Sequence, residues 1–330
     1  MSALLKWVVF FAGLALVAWI ASTTDLRAVG TDMAQLGLAG GALVVIAFAT
    51  GFTADVVAWL AMFNSMPWTS RSLGRLLLVQ MVGEAVNTLM PFGSLGGEPV
   101  KAMLLKTRYG VTYREATATL VLAQTVNTVA EVPFVAVGIA VMVQRHVLPA
   151  WAETAMVIGG ACVFGFIVFV FVMLHLRWLA VLERKLGLSR WGEKLARGLA
   201  AFREVEHHLF TFVRHRPARF ALAVAFSFIT WLSGAVETWI VLRFLGADIT
   251  WQDAWLVESA VVLVRNATFF VPAHMGSQDA VLVLVVGAIS GSPELGLAVA
   301  LIRRGRELIA SSFGLSLGAW FGLRPTSAPA

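Results

Sequence analysis

A chain of 330 residues that is 59% hydrophobic and 13% charged, with a mean hydropathy of +0.82, holds more apolar surface than a soluble fold can bury, and it reads as an all-α polytopic membrane protein. The net charge of +6 and the pI near 10.1 fit cytoplasmic loops facing anionic headgroups, so nucleic acid is not an expected partner. The single cysteine, Cys162, excludes an internal disulfide, and the six histidines lack the spacing of a metal site, so no metal or other cofactor is expected.

The first apolar run, 5–21, could pass for a signal peptide, but cleavage after Ala21 would leave Trp19 where a small residue belongs, so a retained first helix is expected. Further full-length apolar segments lie at 36–63, 116–143, 154–176, 220–245 and 295–321. Two others are interrupted. The segment 76–106 breaks at Pro91, Gly93, Gly96 and Gly97. Each of its arms is about 15 residues, against about 20 for a crossing, which predicts two half-helices meeting inside the membrane. The segment 255–289 is interrupted in the same way between Pro272 and Gly276.

Between Arg177 and Arg219 the chain carries ten Lys or Arg against four Glu, which assigns this stretch to the cytoplasm. Counting outward puts the N- and C-termini and the loop holding Lys101, Lys106, Arg108 and Arg114 on the same side. The count closes only if the first broken segment enters and leaves from the cytoplasm and the second from outside, as two opposed re-entrant hairpins. Apolar residues at helical spacing in 177–219 predict either an interfacial helix on the inner leaflet or a connector packed on the bundle.

Aligning Pro91 with Pro272 brings other features into register. Seven residues later come Glu98 and Asp279; seven earlier stand Glu84 and Arg265; nineteen later come Gly110 and Gly291. Asp55 and Glu237 lie 36 and 35 before their prolines, and Gln124 and Arg304 lie 33 and 32 after. One transmembrane domain over 1–330 is therefore expected, built as an inverted repeat of about 36–143 and about 217–321. Paired interrupted segments in inverted halves point to a midplane binding site in an alternating-access carrier.

Several polar residues stand where lipid would make them costly unless they line an enclosed or watery cavity, among them Glu84 and Asn87 on the first arm of the segment 76–106 and Glu98 and Lys101 on the second. Glu98 precedes Pro99 and follows two glycines, so a helix is expected to start there, and Ser277 would cap a second one near Gln278 and Asp279. Both helix starts would attract anions. Arg303, Arg304 and Arg306 sit within the last apolar segment with Glu307 one turn beyond Arg303, so a Glu307–Arg303 pair and at least one surplus cation are expected. With Arg265 these arginines suit a phosphate, or else they pair internally with Glu258, Glu131 or Glu237. Asp55, Glu131 and Glu237 would gate, titrate or neutralise an arginine. Asn87 and Asn266 would either contact ligand or satisfy backbone groups freed by the breaks.

Asn87 to Pro91 followed by Gly96-Gly97-Glu98, Val271-Pro272, Gly276 to Asp279 and LIRRGREL from Leu301 to Leu308 resemble the transmembrane flippase domain of lysylphosphatidylglycerol synthases and its stand-alone relatives, among them a hopanoid-biosynthesis-associated membrane protein. The chain departs from that pattern at Gln124, where the family usually has Arg, and at Asp279, where it has Glu. The resemblance implies lipid translocation in a bacterial inner membrane without lipid aminoacylation, since no soluble transferase domain follows Phe321. The expected protein is not an enzyme: it moves a lipid with an anionic, phosphate-bearing or polar headgroup, with Glu84, Asn87, Glu98, Arg265, Asn266, Asp279, Arg303, Arg304 and Arg306 around the substrate and Asp55, Glu131, Glu237 and Glu307 gating or balancing charge. The alternative is a non-transporting scaffold for lipid-biosynthesis enzymes, docked through 177–219.

Overall fold

The computed structural model describes residues 26–89, 96–175, 212, 214–268 and 277–323. Among these the fold is all helical, with nine helices: α1 (Leu26–Leu60), α2 (Ser70–Leu89), α3 (Glu98–Tyr109), α4 (Tyr113–Arg145), α5 (Ala150–His175), α6 (Pro217–Phe244), α7 (Trp251–Ala267), α8 (Ser277–Ser290) and α9 (Pro293–Leu323). Five of the six expected full-length segments appear as α1, α4, α5, α6 and α9, while the interrupted ones appear as the pairs α2/α3 and α7/α8. The expected helix 5–21, both break tips with Pro91 and Pro272, and nearly all of 177–219 lie outside the described residues.

Three described helices are long and apolar enough to cross a membrane: Ala34–Leu60, Tyr113–Arg145 and Pro217–Phe244. The last helix, α9, has the length but carries its Arg303–Glu307 charges inside the apolar run. Local chemistry sets several boundaries. Thr112 caps α4 by accepting the Glu115 N–H, while the Glu115 carboxylate accepts the Asn64 and Ser65 N–H groups at 3.1 and 3.0 Å, tying the end of α1 to the start of α4. Thr250 and Asp253 form a reciprocal capping box on α7, and Arg145 at the end of α4 donates to Thr250 at 2.8 Å. Gly110 and Gly291, nineteen residues beyond the two break prolines, both adopt left-handed backbone (φ 69° and 74°) where a short helix turns into a long one.

The helices α1 and α6 pack along each other, α2 packs on α9 and α7 on α4, and α3 and α8 lean on α4 and α9 respectively. Small residues allow close approach, since lipid gives no hydrophobic drive for helices to associate. A Cβ on Gly51 would overlap Ser233 of α6, one on Gly138 would overlap Ser259 of α7, and one on Gly314 would stand 2.5 Å from the Met81 carbonyl oxygen of α2. Phe134 of α4 is fully buried, stacked on Trp255 and Trp231 with Phe228 at its edge. The Trp255 indole donates to the Phe134 carbonyl at 2.9 Å, fixing α7 against α4.

Candidate functional site

A cavity of about 530 Å³ opens between the helices, and both interrupted segments contribute to its wall. Asp55 (α1), Glu84 (α2), and Glu98 and Lys101 (α3) line one side. Glu237 (α6), Glu258 and Arg265 (α7), and Arg303, Arg306 and Glu307 (α9) line the other. Gln124, Asn127 and Glu131 of α4 connect the two, with Phe48, Trp59 and Trp231 supplying aromatic surface.

The first side is built on the α2/α3 joint. Gly97 precedes Glu98 and Pro99 at the start of α3, and its N–H donates to Asn87 Oδ1 at 2.5 Å. A Cβ on Gly97 would fall on the Gly83 carbonyl oxygen, so only glycine lets the two arms meet this closely. Gly83 in turn leaves room for the Lys101 stem. Lys101, 3% exposed, sends its ammonium to Glu84 at 2.8 Å and Glu98 at 2.9 Å. Gln80 Nε2 donates to Asp55 at 2.7 Å and to Glu84 at 3.3 Å, joining α1 to this network.

The second side is a set of ion pairs. Arg303 donates to Glu258 and Thr238, Arg306 pairs with Glu237 at 3.0 Å, and Arg304 pairs with Asp279 at 2.6 Å. The Arg306 guanidinium also stands 4.4 Å from the ring centre of Phe48 on α1. Asn266 donates to Glu131. Arg265 lies 4.8 Å over the Trp231 ring and, among the described residues, has no carboxylate within 4.0 Å. Buried atoms without a hydrogen-bond partner cluster on this side: Glu237 Oε1, Arg303 Nε and Arg306 Nε.

Of the residues expected at the substrate, Glu84, Glu98, Arg265, Asn266, Arg303 and Arg306 line the cavity, as do Asp55, Glu131, Glu237 and Glu307. The other three do not. Asn87 is buried in the α2/α3 joint, where it satisfies the backbone as one of its two expected roles, and Asp279 and Arg304 bound a separate small recess. The expected Glu307–Arg303 pair is corrected, because Arg303 reaches across to Glu258 on α7. Of the two expectations for Arg303, Arg304 and Arg306, a surplus cation or internal pairing, the structure shows pairing: Arg303 with Glu258 and Arg306 with Glu237, both named as candidates, and Arg304 with Asp279. Lys101, counted with the cytoplasmic loop but also placed with Glu98 on the second arm at membrane depth, is buried between two glutamates, as the second placement expects. Its spacing of three from Glu98 on one helix was the available signal. The bridging role of Gln80 and the Arg265–Trp231 stack had no counterpart in the sequence pattern.

No group of three or more potential metal ligands occurs among the described residues. The family model of the lysylphosphatidylglycerol synthase TM region matches residues 4–314. No curated protein and no solved structure matches the chain.

Proposed function

Because the chain belongs to the lysylphosphatidylglycerol synthase transmembrane family, a membrane context related to lipid handling, we propose that it is a non-enzymatic carrier that moves a polar-headgroup lipid across the bacterial inner membrane. One observation carries this reading: the cavity of about 530 Å³ with charged walls drawn from both interrupted segments. Charged side chains at membrane depth are costly unless they face a cavity that a substrate or water fills.

In this reading α2/α3 and α7/α8 are re-entrant hairpins of an inverted repeat. The pairing of helices supports it, since α2 on α9 and α7 on α4 exchange when the two halves are exchanged, and α1 on α6 maps onto itself. Gly110 and Gly291 support it too, with the same left-handed turn at the same offset. Alternating access would then rock one half against the other around the cavity. Arg265, which makes no ion pair within 4.0 Å among the described residues although Glu131 and Glu258 lie within electrostatic reach, is the cation available to a lipid phosphate. The docking surface of the scaffold alternative, 177–219, lies almost wholly outside the described residues, and nothing described favours that alternative.

The test is lipid exchange in proteoliposomes carrying fluorescent phosphatidylglycerol, read as loss of the inner-leaflet label's protection from a membrane-impermeant quencher. Wild-type protein is expected to accelerate exchange and Arg265→Leu to lose most of that acceleration. Exchange at the protein-free rate for labelled phosphatidylglycerol and for a labelled polyprenyl phosphate would overturn the carrier reading.

A further inference from the structure

The two sides of the cavity are not equivalent in charge. On the second repeat three carboxylates, Glu237, Glu258 and Glu307, face three arginines. On the first repeat the lining carboxylates are Asp55, Glu84, Glu98 and Glu131, and the one lining cation that this repeat contributes is Lys101. The asymmetry follows from the repeat itself: Arg265 corresponds to Glu84, and in the register that aligns Arg304 with Gln124, Arg303 and Arg306 on α9 correspond to Ala123 and Val126 on α4. An anionic lipid therefore enters a cavity whose first side already carries uncompensated negative charge, which an apolar surround makes unfavourable.

Which group relieves this is a matter of partners. Glu84 and Glu98 share the Lys101 ammonium, and Glu131 accepts from Asn266 within electrostatic reach of Arg265. Glu237 and Glu258 hold arginines. Asp55 has the neutral Gln80 amide at 2.7 Å as its one hydrogen-bond partner among the described residues; the Lys101 ammonium acts on it from beyond 4.0 Å and is already shared by Glu84 and Glu98. The repeat counterpart of Asp55, Glu237, has Arg306 at 3.0 Å. The charged groups facing Asp55 are Glu84 of α2, Glu98 and Lys101 of α3, Glu131 of α4, Glu237 of α6, and Arg306 and Glu307 of α9, all on the same cavity.

We propose that Asp55 is a proton-binding site that couples lipid movement to the proton gradient, a lipid phosphate on Arg265 and a proton on Asp55 crossing together. The Asp55 carboxylate takes a proton from water on one side and returns it to water on the other, so one O–H bond forms and breaks and no other reactant is needed. Gln80 follows this change from α2: its amide donates to the carboxylate, and on protonation its carbonyl oxygen accepts from the new O–H after an amide flip. The α1–α2 contact is thereby made sensitive to the proton.

The coupling rests on the carrier reading, but the proton site has its own readout. Infrared difference spectra of the full chain in lipid, recorded across pH, are expected to show the carbonyl stretch of a protonated carboxylic acid. The band is expected to be lost in Asp55→Asn, shifted in Asp55→Glu and retained in Glu307→Gln. Absence of the band from wild-type protein, or an unchanged band in Asp55→Asn, would overturn the proposal. In proteoliposomes with labelled phosphatidylglycerol, a proton gradient is expected to speed wild-type exchange several-fold, and Asp55→Asn to lose that stimulation. Wild-type exchange that ignores the gradient overturns the coupling. Titration of the band with no exchange at all leaves the proton site standing and overturns the carrier reading instead.

Discussion

Glu258→Gln tests whether the second side of the cavity is held by buried ion pairs. The side chains of Glu258 and Arg303 are 8% and 12% exposed, so little solvent screens them. The substitution keeps the shape of the side chain and removes its charge. Arg303 is left with the Thr238 hydroxyl and an Nε that already has no hydrogen-bond partner. Stranding one member of such a pair costs about 3–5 kcal/mol. The first side behaves differently: the Glu84 and Glu98 side chains are 46% and 31% exposed, and Lys101 keeps one partner if the other is lost. Glu98→Gln is therefore expected to cost about 1 kcal/mol or less. The assay is reversible unfolding of the purified protein in mixed dodecylmaltoside and dodecyl sulfate micelles, followed by circular dichroism. Glu258→Gln combined with Arg303→Met should recover at least half of the loss, since no uncompensated buried charge remains. A loss below about 1 kcal/mol for Glu258→Gln alone would refute the reasoning.

Asn87→Leu removes the acceptor of the buried Gly97 N–H and should destabilise the α2/α3 joint by about 1–3 kcal/mol, read in the same titration. Arg265→Leu gives up a stack on Trp231 but no ion pair among the described residues, so its stability cost should stay near 0.5–2 kcal/mol, roughly the range of a cation–π contact, while lipid exchange falls. Gly97→Ala puts a methyl on the Gly83 carbonyl and should cost about 1–3 kcal/mol by overpacking, whereas Gly74→Ala, with open space at its Cβ, should cost little. In a Cys162→Ser background, Glu98→Cys and Asn266→Cys should react with impermeant thiol reagents in right-side-out and inverted vesicles at rates that depend on which face of the cavity is open. Equal, negligible labelling of both from both faces would count against alternating access.

Much of this architecture was legible in residue order. The apolar lengths of 36–63, 116–143, 154–176, 220–245 and 295–321 anticipated α1, α4, α5, α6 and α9, because a membrane-length helix is specified by its own composition. The start of α3 at Glu98 and the left-handed turns at Gly110 and Gly291 were equally local, since glycine and proline restrict the backbone wherever they stand. The list of charged residues at membrane depth could also be drawn from the chain alone. What tertiary structure decided was partnership. Nothing near Arg303 in sequence chooses between Glu307, one turn away, and Glu258, forty-five residues away, both of which were candidates; the fold chose Glu258. Lys101 had two placements, loop cation or group at membrane depth, and Gly83 and two glutamates decided for the second, while Asp55 and Glu237, matched by offset, ended with different partners, an amide and a guanidinium. The physical reason is that a helix forms through bonds along its own backbone. A buried charge is instead neutralised by whatever the rotation and approach of neighbouring helices bring within about 3 Å.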